Sequence, residues 1–472
     1  MTLRLISSAR ELATHLDWIF DGPLLNPLRR IVAELIVVAG PWLLTIVTLI
    51  LISQTAQPSL GAEALEDMRL AVVYAFMLAP LIATPLGIVA ARSITNIEAP
   101  PDKTALGALM LVACGFSGIT AQLLAITVTL ALRLSDTALA LAFLVLTSSS
   151  AMLWTAFIVL GACRARRRLI LAFSVGMAAA VSLSVLTVKT SQTSADLVWC
   201  FAAGITLSLG LCFAPFCLAG LESKGLHRAW ARMLGTARTT WPLALGAMFA
   251  IAGVWADKWV AWGGSGGLTS TAGFLHSPTY DSALFLAHLS AVPGLAVLAL
   301  YFDVPFREAM ARFRSALSRG ASLDRAERAG EALGVTIWTG IQHSMIAQLA
   351  LSAAFLLIAP VAATLAGLRL DQFLILRTGI VGTFLHVFFL AASAVLILFN
   401  RKLVFLTAQF LFLAINLGVS LVLSTAIRMT ALGFTLAALV GGIFAIVFVY
   451  ATIREILRYH FLDGNDVLFF GK

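Results

Sequence analysis

Trp241-Pro242-Leu243-Ala244-Leu245-Gly246-Ala247-Met248-Phe249-Ala250-Ile251-Ala252-Gly253-Val254-Trp255-Ala256-Asp257-Lys258-Trp259-Val260-Ala261-Trp262-Gly263 is apolar for long enough to cross a membrane as one helix, which takes about 20 residues. Near its end an acid and a base, Asp257 and Lys258, stand side by side, framed by Trp255, Trp259 and Trp262. An ionisable side chain at the bilayer centre costs roughly 2.5–3.5 kcal/mol. Such groups persist where they pair, line a wet cavity or reach a surface. Two readings stay open. In one, Lys258 snorkels to the interface and Trp259 and Trp262 belong to an aromatic belt. In the other, both charges face a polar passage and Asp257 pairs with a basic partner. Arg377 is the candidate partner, by depth alone, because it too stands about one turn from the outer face. A Gly/Ser/Thr-rich loop, 263–277, follows, and Tyr280-Asp281-Ser282-Ala283 opens the next apolar run.

Working outward, twelve such runs cover the chain: 31–53, 70–91, 105–131, 137–161, 168–188, 196–219, 240–262, 282–301, 342–366, 373–399, 403–425 and 430–452. None shows strand-like alternation, which excludes a transmembrane barrel. Of the 472 residues, 60% are hydrophobic and 12% charged, with a mean hydropathy of +0.97. Soluble domains carry about 25% charged residues. The composition therefore specifies an all-α integral membrane protein. The five cysteines lie in or beside apolar runs with no disulfide or zinc spacing and read as small core residues. No cleavable signal peptide is apparent.

The net charge of +9 would suit a nucleic-acid partner, but its placement argues otherwise. With the N-terminus in the cytoplasm, inside segments hold 25 of the 32 Lys and Arg residues and outside segments 5. That asymmetry sets orientation in a membrane and accounts for the basicity without nucleic acid. Both termini then face the cytoplasm. Residues 1–30 read as an amphipathic cytoplasmic lead, 31–219 as a first six-helix bundle and 220–239 as a linker. Residues 240–452 form a second six-helix bundle with an amphipathic surface insert at 302–341 that runs into the ninth helix, and 453–472 form a tail. A Trp/Pro pair opens each half, in Gly40-Pro41-Trp42-Leu43 and in Thr240-Trp241-Pro242-Leu243, as expected of transporters built from two related bundles.

A sugar passage needs aromatic faces on which apolar sugar faces stack, and polar groups for hydroxyl and acetamido partners. Trp255, Trp259, Trp262 and Tyr280 could supply the first, and Asp257, Lys258 and Asp281 the second. His343 and His386 read as packing histidines in preference to a proton relay. The chain lacks a GxxxxGK[ST] phosphate loop, a soluble domain large enough for a glycosyltransferase, and any metal-ligand cluster in its spacing. It reads as a transporter and not an enzyme, with no cofactor.

Gly253-Val254-Trp255-Ala256-Asp257-Lys258-Trp259, Tyr280 to Ala287 and Ser290-Ala291-Val292-Pro293-Gly294-Leu295-Ala296 occur in an order and spacing that resemble the PelG family of exopolysaccharide transporters. Gly40-Pro41-Trp42, Phe306 and Phe313 extend the likeness; the lead 1–30 departs from it. The resemblance implies a MOP/MATE-like fold of twelve transmembrane helices in two six-helix bundles. It also implies export of an N-acetylhexosamine-rich polymer across the bacterial inner membrane for a biofilm matrix, beside a cytoplasmic glycosyltransferase and small membrane partners. The basic segments at 164–168, 220–239 and 302–341 are where such a partner, or anionic lipid, would dock. Two other readings remain: a lipid-linked oligosaccharide flippase or small-molecule antiporter on the same fold, and a non-transporting scaffold of a synthase.

Overall fold

The computed structural model of the chain describes residues 27–95, 103–163, 165–187, 193–217, 223–303, 305–318, 322–365, 367–426 and 430–458. The expected lead and most of the tail lie outside them. The described residues form fourteen α-helices and one small β-hairpin. The first six are α1 (Pro27–Ala56), α2 (Ala62–Thr95), α3 (Lys103–Leu132), α4 (Thr137–Ala162), α5 (Arg166–Thr187) and α6 (Ser194–Cys217). Then come α7 (Ser223–Gly263), the antiparallel strands β1 (Leu268–Thr269) and β2 (Leu275–His276), α8 (Pro278–Leu289), α9 (Ala291–Asp303) and α10 (Pro305–Ser318). The chain continues through α11 (Leu323–Leu365), α12 (Leu370–Leu398), α13 (Lys402–Ala426) and α14 (Leu432–Arg454).

Eleven stretches among the described residues are long and apolar enough to span a membrane: α2 to α7, a fused Pro278–Leu317, and α11 to α14. Gly40–Ala56 of α1 adds a shorter apolar helix. The protein is thus an all-α, many-span membrane protein. Its outward face is apolar in kind, with Leu130, Leu186, Leu357 and Val361 exposed, because in a bilayer such side chains meet lipid and not water.

Three segments depart from expectation. The run 282–301 is not one helix: the chain breaks at Ser290 between α8 and α9. Pro293 explains the break, since it lacks an N–H and its ring opposes the carbonyl four residues back, at Leu289. Ser290 Oγ donates to Ala287 O at 2.7 Å, and Gln348 Nε2 donates to Ser290 O at 3.0 Å, so freed carbonyls are satisfied. The linker 220–239 is helical from Ser223 and continues into α7. At 41 residues α7 is roughly 60 Å long, about twice the hydrocarbon thickness. The insert 302–341 is two pieces: α10 stands alone, and α11 runs unbroken from Leu323.

Packing divides into two main apolar cores. One gathers residues of α1 to α6, among them Ile52, Met68, Phe143 and Phe201; the other surrounds Phe313, Phe389, Phe412 and Phe434 of the later helices. Small residues let helices close. A Cβ at Gly204 in α6 would lie 2.4 Å from the Gly176 carbonyl oxygen of α5, and one at Gly253 in α7 would lie 2.4 Å from Phe412 of α13. α7 is shared between the cores: Ala229 and Met233 pack with the first and Leu243 and Ala247 with the second. Earlier and later helices also meet at α1 against α9, at α7 against α2 and α3, and at Trp42, edge-on to Phe285 of α8 at 5.9 Å.

Candidate functional site

The acid–base pair lies in the last turns of α7, where that helix passes α2 and meets α8. Asp257 is fully buried. Its Oδ2 accepts from the Tyr280 hydroxyl at 2.6 Å and its Oδ1 from the Lys258 backbone N–H at 3.0 Å. Tyr280 sits in the first turn of α8, which Pro278 starts by supplying a preset φ where no donor is needed.

Lys258 does not reach a surface: it is 8% exposed. Its Nζ donates to Val254 O at 3.2 Å, one turn back, and lies 4.9 Å from the centre of the Trp255 ring. The π-face and the carbonyl solvate the ammonium in place of water. Among the described residues no carboxylate lies within ion-pair distance of it. The snorkelling reading of Lys258 is therefore corrected.

Asp281 is tied to the next layer. Trp262 Nε1 donates to its Oδ1 and Oδ2 at 3.0 and 2.9 Å, and Ser277 N donates to Oδ2 at 3.0 Å. Trp262 stacks on Tyr74 of α2 with ring centres 4.9 Å apart, and Trp255 approaches Trp262 edge-on at 6.2 Å. Trp259 Nε1 points to Met77 Sδ of α2 at 3.0 Å. Trp259 and Trp262 thus face the other half of the protein and are not a lipid-facing belt.

The structure brings seven of the eight expected residues together: Trp255, Asp257, Lys258, Trp259, Trp262, Tyr280 and Asp281. Arg377 is apart. Its side chain is exposed and its guanidinium lies 5.6 Å from the Phe373 ring, one turn back on α12. The expected Asp257–Arg377 pairing is not formed, because Tyr280 occupies Asp257. Sequence reading missed Tyr74, Met77 and Phe274. Tyr74 and Met77 lie on a helix about 180 residues earlier in the chain, with no local charge to mark them. Phe274 is an aromatic in a loop otherwise rich in Gly, Ser and Thr, and that mismatch was a usable signal.

The polar surroundings continue inward. Asn416 Nδ2 donates to Gly253 O at 2.8 Å, and Gln409 to Ser393 Oγ at 3.0 Å. His386 stacks on Phe412 at 5.2 Å; His343, by contrast, is exposed on α11, where it bonds with the Tyr301 hydroxyl of α9. His288 Nε2 and Thr383 Oγ1 are buried without a hydrogen-bond partner. Among the described residues no group of His, Cys, Asp or Glu has the arrangement of a metal site. Aromatic faces, acid, ammonium and hydroxyl, set where one half meets the other, offer stacking and hydrogen bonding without a nucleophile–base constellation.

Residues 23–461 match the family model of PelG, described as "Putative exopolysaccharide Exporter (EPS-E)". No curated protein sequence matches the chain. Among solved structures, an outward-facing multidrug resistance MATE transporter of the MOP superfamily aligns at a TM-score of 0.60 and 18% identity, over 95% of this chain and 98% of that one. An inward-facing multidrug resistance MATE transporter aligns at 0.61 and 16%, over 87% and 95%. A MOP superfamily transporter from Pyrococcus furiosus aligns at 0.61 and 16%, over 91% and 96%. The fold resembles that of these MOP superfamily transporters.

Proposed function

Given that the chain belongs to the PelG family, whose members are transporters and not enzymes, and that it is a multi-pass protein of the inner membrane, we propose that it exports an N-acetylhexosamine-rich, Pel-type exopolysaccharide to a biofilm matrix. Transport of a polysaccharide or small molecule follows from the family and fold; the polymer is our reading. It pictures twelve spans in two six-helix halves with both termini in the cytoplasm, and a passage between the halves. Trp255, Trp259, Trp262 and Tyr280 stack on sugar faces as these pass, while Asp257, Lys258 and Asp281 exchange hydrogen bonds with hydroxyl and acetamido groups. The single observation that carries this is the aromatic–polar cluster at the meeting of α7, α8 and α2 (Trp262 on Tyr74, Trp259 on Met77, Tyr280 on Asp257). A drug antiporter would want apolar walls and a lipid anchor would want exposure, and this cluster has neither character. Supply of the polymer calls for a cytoplasmic glycosyltransferase and membrane partners, for which the basic α10 and the start of α7 are the docking elements.

The test is secreted hexosamine polymer from a deletion strain complemented with wild type, Asp257→Asn, Lys258→Gln or Arg377→Gln, with membrane level and partner recovery followed in parallel. Asp257→Asn and Lys258→Gln should lower secretion at least tenfold at normal level and partner recovery. Arg377→Gln should secrete normally. Normal secretion by the first two sinks the passage assignment, and loss of polymer only together with partners favours a scaffold.

A further inference from the structure

The loop between α7 and α8 is anchored at both ends in the C-terminal half, yet its side chains are buried in the N-terminal one. Phe274 is fully buried within the first core, edge-on to Phe143 of α4 at 5.7 Å and tilted against Tyr74 of α2 at 5.1 Å. The backbone around it is held by the same half. Ala272 N donates to Asp67 Oδ1 at 3.1 Å, at the start of α2. Ser135, between α3 and α4, donates its N–H to Ala272 O at 3.0 Å and its hydroxyl to Thr271 O at 3.2 Å. Tyr74 Oη donates to Leu275 O at 2.7 Å, and His276 Nε2 lies 3.0 Å from Glu66 Oε1. The turn that aims Phe274 needs Gly273, whose φ of +107° only glycine adopts at ease.

These contacts have the character of a reversible closure. They are backbone and hydroxyl hydrogen bonds, one bond from Ala272 N to the buried Asp67 carboxyl group, the half-exposed Glu66 against a histidine, and a single aromatic ring in a socket. None is covalent, and they meet three separate N-terminal elements: α2, the α3–α4 turn and α4. The Tyr74–Trp262 stack lies directly beneath, so the cluster described above is sealed from this end.

We propose that the hairpin is an exit latch: withdrawal of Phe274 from the Tyr74–Phe143 socket, with loss of the bonds to Asp67 and Ser135, opens this end of the protein for the exported chain. The proposal rests on the transport reading above. Withdrawal breaks no covalent bond; it requires only that the halves part at α2 and at the α3–α4 turn, while α7 keeps them joined.

The test is Ser135→Cys with Thr271→Cys in the full chain, the native cysteines replaced, in polymer-producing cells. Oxidation joins hairpin to socket, and the joined fraction is read by thiol blocking. Secretion should fall at least tenfold on joining and return on reduction. Undiminished secretion by fully joined protein overturns the latch and leaves the transport reading standing. If reduced variant and wild type both fail to restore polymer, it is the transport reading that fails. The latch is then decided by hydrogen exchange of the purified full chain in nanodiscs. Phe274→Ala should speed exchange at the Ala272 and Ser135 amides at least tenfold and leave α13 unchanged; equal rates overturn the latch.

Discussion

Asp257 is fully buried and accepts two hydrogen bonds, one from its own chain and one from the Tyr280 hydroxyl. Taking away one partner of a buried charged group costs about 1–3 kcal/mol. Tyr280→Phe should therefore lower the apparent Tm of the detergent-purified protein, whereas Tyr280→Phe added to Asp257→Asn should cost less than the sum of the two. A coupling of at least ~0.5 kcal/mol in that double-mutant cycle is expected; additive effects would mean that the bond contributes nothing. Lys258 presents the opposite case, a buried cation held by a carbonyl and an indole face. The acid and base were legible in the sequence because charge is rare in a membrane run and stands out wherever it occurs. Their partners were not, since Tyr74, Met77 and Phe274 are ordinary apolar or aromatic residues whose role arises only from a meeting of distant helices.

Among the elements, α7 carries the most. It meets α13 through Gly246 and Gly253, seven residues and so nearly two turns apart, which places both on one face. A Cβ at Gly253 would meet Phe412 at 2.4 Å and one at Gly246 would meet Phe405 at 2.7 Å. Gly253→Leu should force α7 off α13, break the Asn416 bond to Gly253 O, and lower the apparent Tm by several degrees with loss of protease resistance; an unchanged Tm would mean that the seam is slack. At this scale the sequence was readable in its apolar lengths and misleading in its joints. Pro293 breaks one expected helix within a single apolar stretch, because a proline near a helix start and one within a helix look alike in sequence. The helical state of residues 223–239 is not legible, because their arginines are as compatible with an amphipathic helix as with a solvated loop.

For the whole molecule, the excess of Lys and Arg on one side predicts a definite topology. Alkaline phosphatase fused after Gly367 should be active and the same enzyme fused after Arg401 inactive; the reverse pattern would invert the protein in the membrane. The fold class was legible from composition alone, because a bilayer admits so few solutions to backbone hydrogen bonding. The reading of two halves comes from the basic connection at 220–239, midway along the chain, with the Trp/Pro echo only in support. How the two apolar cores meet was not legible, since that depends on helix pairs distant in sequence, on the α3–α4 turn and on a two-stranded hairpin with no periodicity to reveal it.

The socket for Phe274 also bears on how the protein is made. Asp67 and its partner Ala272 are 205 residues apart. At ribosomal speeds of about 5–20 residues per second, the N-terminal half waits roughly 10–40 s in the membrane before that ring arrives. During this interval its core still lacks Trp262, Ala272 and Phe274. The nascent half is thus incomplete as a folding unit, and its last core residue is delivered by the second half. Biogenesis and closure become one event: the chain cannot finish packing its first core without also seating the hairpin in it.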